Sequence, residues 1–386
     1  MRRLILIFTV QIAEISMYIH QNKDWPELTW DLSKLAQLSA ETRHRQGRLL
    51  GKMESLGFSL QAEAMLQTLT LDVIKSNEIE GEILNPEQVR SSIARRLGMD
   101  VSGLVPSDRN VEGVVEMMLD ATQRFSVPLT QERLFGWHAS LFPAGHSGLY
   151  KITAGAWRTG TNGPMQVVSG VMGRERVHFQ APDAAVVGKE MSLFLEWFNT
   201  KNDMDPVLKA GIAHVWFVTI HPFDDGNGRI ARTIADMQLA RSDRSSQCFY
   251  SMSAQIRLER NEYYSMLEST QKGTLDITEW LTWFLECLGR AFNETEVTLN
   301  AVFKKARFWN TNRSKTFNDR QRLMVNKLLD GFEGKLTSSK WAKIAKCSQD
   351  SALRDIQDLI EKEILIKENV GGRSTSYYLF HDLSQI

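Results

Sequence analysis

His221-Pro222-Phe223-Asp224-Asp225-Gly226-Asn227-Gly228-Arg229-Ile230-Ala231-Arg232 gathers an imidazole, a carboxylate, a Gly-Asn-Gly turn and two arginines into one short stretch. His221 titrates near neutral pH and can take a proton from an attacking hydroxyl. Gly226 and Gly228 permit backbone angles that a side chain forbids. A turn of that kind, opening a helix, aims successive N–H groups at one point, and the positive end of the helix adds to the attraction for phosphate. Asn227 offers a side-chain amide to the same oxygens. Arg229 and Arg232 are three apart, share one helix face and can grip further phosphates. Asp225 is a hard oxygen ligand of the kind that holds Mg²⁺ beside a nucleotide. Each part alone has an ordinary explanation as a helix end, a turn or a cap. All of them together at this spacing point to phosphate chemistry.

The elements on either side must position this stretch. Asp205-Pro206 is a good helix start, and the run after it is apolar on most sides through Leu208, Ile212, Val215, Trp216 and Val218. A helix buried all round is central and rigid, which suits a catalytic group at its end. Far upstream, Leu66, Leu69 and Val73 recur at helical spacing, and continuing their face reaches Ser76-Asn77 and then Glu80, with Gly81 as a left-handed C-cap. A carboxylate that prolongs a buried face needs a partner, because an unpaired buried charge is costly.

The twelve-residue stretch resembles the signature of the Fic family, H-P-F-x-[D/E]-G-N-G-R-x-x-R, at every specified position. Most Fic proteins transfer AMP from ATP to a protein hydroxyl. The resemblance implies that His221 is the general base and Asp225 the Mg²⁺ ligand. It places Asn227 with Gly226 and Gly228 around the α- and β-phosphates, and Arg229 and Arg232 on the distal ones. Ser76-Asn77-Glu78-Ile79-Glu80-Gly81 resembles the Fic inhibitory motif, [S/T]-x-x-x-E-[G/N], which implies a pair between Glu80 and Arg232. Gln166-Val167-Val168-Ser169 and Arg176-Val177-His178-Phe179 read as a hairpin and resemble the Fic flap, which binds an extended target segment by strand addition. Val167 and Val168 are the target-binding candidates. Tyr264 and Gln271 match the segment that faces adenine in the family. His138 is expected to be packed rather than catalytic, and His178 is not needed as a second base.

The 386 residues, 42% of them hydrophobic, suffice for more than one domain. Formal net charge is zero, so no global field favours nucleic acid or an acidic membrane. Cys248, Cys287 and Cys347 lie far apart, which argues against a disulfide framework or zinc site and fits a reducing cytoplasm. The expected fold is mainly α: a Fic-type helical core with a β-hairpin flap, plus a small α+β winged-helix-like C-terminal domain. The division reads as an N-terminal extension (1–24), an N-terminal helical region with the inhibitory helix (25–105), a catalytic core (106–300) and a winged helix-turn-helix-like domain (310–386). The apolar run from Leu4 to Phe8 is too short to span a bilayer, and Met17 reads as an alternative start. In the last domain, Asp350, Asp355, Asp358, Glu361 and Glu363 outnumber Arg354 and Lys362 on the would-be recognition helix, with Arg373 in the wing. That favours protein contact or homodimer formation over DNA reading.

The function expected is AMP transfer from ATP, with Mg²⁺, to a Ser, Thr or Tyr hydroxyl of a target protein, restrained by Glu80. Two rivals stand beside it: removal of AMP from a modified protein with Glu80 orienting water, and a transcription regulator whose core senses a nucleotide.

Overall fold

The structure, a computed structural model, describes residues 18–99, 103–170, 174, 176–201, 203–329, 332, 334–368 and 375–380. The alternative start at Met17, the run from Leu4 to Phe8 and Arg373 lie outside the described residues. Helices dominate. In chain order they are α1 (Leu32–Glu54), α2 (Phe58–Ile79), α3 (Pro86–Arg96), α4 (Arg109–Gln123), α5 (Gln131–Leu141), α6 (Ala184–Asn199), α7 (Pro206–Ile220), α8 (Asn227–Asp243), α9 (Met252–Leu258), α10 (Arg260–Gln271), α11 (Thr278–Thr298), α12 (Asn300–Thr311), α13 (Asp319–Leu329), α14 (Ser338–Ile344) and α15 (Gln349–Glu361). Among the described residues there are also two short 3-10 helices and three antiparallel hairpins: β1 (His146–Ser147) with β2 (Tyr150–Lys151), β3 (Gln166–Ser169) with β4 (Arg176–Gln180), and β5 (Leu365–Lys367) with β6 (Tyr377–Leu379). Among the described residues no helix is long and apolar enough to cross a membrane.

The chain divides into two compact units. One takes in residues up to Met53 together with Ala64–Thr295; the other joins Glu54–Glu63 to the segment from Glu296 onward. Within the first unit Leu66, Leu69, Val73 and Ile79 of α2 are buried. In the first unit α7 and α8 are central. Every residue of α7 is buried except its first, Pro206. Asp205 caps the helix by accepting from the N–H groups of Val207 and Leu208, which satisfies two of the donors a helix start leaves over.

The second unit has its own core, built by Met324, Val325, Leu336, Trp341, Ile356, Leu359 and Leu365. After α12, which adds Phe308 to this core, its elements run α13, α14, α15, β5 and β6. Helix α15 is less acidic on its surface than its sequence suggests. Asp355 is buried and bound by Arg320 at 2.7 Å and by Asn318 at 2.8 Å, and Asp358 accepts from Gln321 at 2.6 Å. Two of the counted carboxylates thus hold α15 to α13.

Candidate active site

The signature bridges the C-terminus of α7 and the N-terminus of α8. His221 is the C-cap of α7 in the left-handed region, φ 50 and ψ 59, with its N–H on the Phe217 carbonyl at 3.0 Å. That backbone turn takes the chain out of the helix axis. The imidazole Nδ1 lies 3.1 Å from the Val218 carbonyl oxygen. A carbonyl only accepts, so Nδ1 carries the proton and Nε2 is the basic nitrogen. Burial pushes the imidazole down to about 4, so it is neutral at physiological pH. Arg158 braces this cap: its Nε donates to the His221 carbonyl at 2.8 Å and its N–H to the Pro222 carbonyl at 2.9 Å.

Gly226 is the N-cap of α8 with φ 78, and no side chain caps the N–H groups that follow. Those donors remain for an anion. Gly228 has a different reason from the one expected. It is helical, and a Cβ there would stand 2.3 Å from Glu80 Oε1. Glycine is needed so that Glu80 can reach across the first turn of the helix. The Asn227 amide also departs from expectation. Its Nδ2 donates to the Phe223 carbonyl at 2.8 Å and its Oδ1 accepts from the Phe223 N–H at 3.0 Å, a clasp that holds the loop shut.

The two arginines are almost wholly buried, and both meet carboxylates from the end of α2. Arg232 Nη2 donates to Glu80 Oε1 at 2.8 Å and to the Ser76 carbonyl at 2.8 Å; its Nε reaches Ser76 Oγ at 3.0 Å. Arg229 Nη1 donates to Glu82 Oε2 at 2.6 Å, and its guanidinium lies over the Phe142 ring. Arg229 Nε and Arg232 Nη1 are buried with no protein partner. Orphaned guanidinium N–H groups beside uncapped backbone donors suit a polyanion. Tyr264 hydroxyl is 3.3 Å from Glu80 Oε2, close enough to sense that carboxylate. Gln271 is buried, and its amide donates to the Val218 carbonyl at 3.3 Å, the one that orients His221.

Asp225 is half-buried. Its Oδ1 accepts from the Gly226 N–H at 2.5 Å and its other oxygen from the Ser147 hydroxyl on the β1–β2 hairpin. Among the described residues no group of three His, Cys, Asp or Glu forms a metal cage. A lone carboxylate held by neutral donors fits Mg²⁺ that arrives with phosphate oxygens and keeps its waters. In the flap, Val167 pairs with Phe179 and Val168 with Val177, with an irregularity between the two valines; Val168 is half exposed. His178 is bound to Ser169 on the flap and to Glu268 on α10 at 2.6 Å, a structural brace.

The Fic/DOC family model matches residues 128–239, from α5 through all but the last four residues of α8. The chain carries a Fic domain over these residues. A second model, a domain of unknown function (DUF4172), matches residues 18–99, the segment that contributes Glu80 and Glu82 to the Fic site. A probable protein adenylyltransferase of Aquifex aeolicus is 29% identical over 104 residues, 27% of this chain and 30% of that protein. A protein adenylyltransferase Fic of Culex quinquefasciatus is 32% identical over 105 residues, 27% of this chain and 19% of that protein. The matched segment thus spans less than a third of either relative. A Fic family protein from Desulfovibrio desulfuricans has a crystal structure similar at a TM-score of 0.55 and 22% identity, over 89% of this chain and 95% of that one, a likeness of fold.

Sequence reasoning missed Glu82, Arg158 and Ser147. Glu82 had a faint signal, a second carboxylate just beyond Glu80. Ser147 had none, because the β1–β2 hairpin is too short for a strand pattern.

Proposed function

We propose that this Fic-domain protein transfers AMP from ATP to a Ser, Thr or Tyr hydroxyl of a target protein and is held back by the carboxylates at the end of α2. The observation that carries the reading is the His221 tautomer: Nδ1–H on the Val218 carbonyl leaves Nε2 free as a base at the head of a helix with uncapped donors. In the reaction Nε2 takes the hydroxyl proton, the oxygen forms a bond to the α-phosphorus, and the bond from that phosphorus to the bridging oxygen breaks. Pyrophosphate leaves. The α8 N–H groups and the two arginines hold the phosphates, so positioning and charge do most of the work. Asp225 would hold Mg²⁺, which when bound offsets charge on the phosphates. The names of the two curated relatives support the same class of reaction. The deciding experiment is incubation of wild type and Glu80→Gly with labelled ATP or UTP and a cell lysate. Label on protein from ATP supports the reading; no protein label from either nucleotide, in either form, refutes it.

Two further results are expected. Glu82→Ala should raise transfer by no more than about fivefold, since Glu82 is nearly half exposed and an exposed ion pair is worth about 0–1 kcal/mol. The gain should multiply with that of Glu80→Gly, and a rate comparison of the single and double variants measures it. Proline at Val167 or Val168 removes a backbone donor from the flap. It should lower modification of a protein target while leaving nucleotide affinity near wild type. Full target modification in both variants would argue against strand addition.

A further inference from the structure

The structure assigns His138 the role of a positioning residue for Asp225, an assignment that rests on the reading of Asp225 as the carboxylate for Mg²⁺. His138 lies on α5 and is 0% exposed. Its ring stacks on Phe223, inside the signature, at 4.1 Å and 7°. Both ring nitrogens are committed. The Gly155 N–H donates to Nδ1 at 3.0 Å, so Nδ1 is unprotonated. Nε2 therefore carries the proton and donates to the Asp225 carbonyl at 3.1 Å.

That carbonyl belongs to the peptide whose N–H, on Gly226, holds Asp225 Oδ1 at 2.5 Å. Fixing one side of a planar peptide fixes the other. His138 thus sets the direction of the N–H that aims the Asp225 carboxylate, while Ser147 holds the other oxygen. The signature by itself cannot orient this peptide, because Gly226 next to it lies at φ 78 and is free to turn. A stacked, doubly hydrogen-bonded imidazole removes that freedom. Groups that orient a metal ligand in this way are commonly worth about 10- to 100-fold in metal affinity.

Two amide replacements separate the two hydrogen bonds. His138→Gln places an N–H near the Nε2 position and keeps the contact with Asp225. His138→Asn places an acceptor near the Nδ1 position and keeps only the contact with Gly155. Binding of ADP to the full-length protein, measured by calorimetry with saturating Mg²⁺ and with chelator, gives the gain in affinity that the metal brings. That gain should fall about 10-fold or more in His138→Asn and stay near wild type in His138→Gln, with chelator affinities alike in all three. Equal losses in both variants, an unchanged gain in His138→Asn, or failure of both to fold would overturn the assignment by making His138 a packing residue. Asp225→Asn is the control. If it abolishes the metal gain while His138→Asn does not, the assignment alone fails. If it leaves the gain intact, the metal reading of Asp225 fails and takes the assignment with it.

Discussion

His221→Ala should lower AMP transfer by about 10²- to 10⁴-fold, the usual loss when a general base is removed, and leave nucleotide affinity close to wild type. The separation follows from geometry. Nε2 is the basic nitrogen because Nδ1 is spent on Val218, whereas on the proposed reading the phosphates would be held by α8 and its arginines. The same residue sets the pH profile. Burial brings its imidazole from an ordinary 6.5 to about 4. A base works unprotonated, and a lowered value keeps it unprotonated through the neutral and mildly acidic range. The acid limb of kcat/KM should therefore fall off as pH drops through about 4 and not near 6.5. Single-turnover rates with labelled ATP across pH, beside nucleotide binding, test both points. A variant that keeps most of its rate, or one that loses rate and affinity together, would remove His221 from the role of base.

Glu80→Gly should raise transfer about 10- to 100-fold, self-modification included. A hydrogen bond to a charged group is worth roughly 1.5–3 kcal/mol net, and every ~1.4 kcal/mol is a factor of ten. Glu80 Oε1 sits on Arg232 and over Gly228 at once, where distal phosphates would be received. One guanidinium cannot serve both partners fully, so on the proposed reading a nucleotide that enters with Glu80 in place would be displaced and misaligned for in-line attack. Arg232→Ala should not mimic the activation, because it removes the restraint's partner and a phosphate ligand together. A rate comparison of wild type, the two single variants and the double variant decides this. Unchanged or slower transfer in Glu80→Gly would end the inhibitory reading. Loss of AMP removal from a modified target in the same variant would favour the rival in which Glu80 orients water.

Much of the site was legible because its chemistry is contiguous. A histidine at a helix end, a glycine N-cap and two arginines one turn apart need only their own neighbours to be read. The burial of α7 follows from its apolar composition on all sides, and the buried face of α2 from the periodicity of Leu66, Leu69 and Val73; Glu80, just past that helix, is exposed and reaches Arg232 from the surface. The caps at Asp205, Thr130 and Ser348 are equally local.

What the tertiary structure decided is which partner each polar group takes. Arg229 meets Glu82 across 147 residues, His138 meets the Asp225 carbonyl across 87, and Arg158 meets the His221 carbonyl across 63. Asn227 and Gln271 have the right chemistry for a nucleotide, yet both are turned onto backbone, Phe223 in one case and Val218 in the other. Periodicity states which face of an element is buried. It does not state which of several donors on neighbouring elements comes within 3 Å of a given acceptor. Hydrogen bonds are short and directional, so that choice depends on how α2, α5 and α10 pack against α7 and α8, and no local pattern in the chain encodes it.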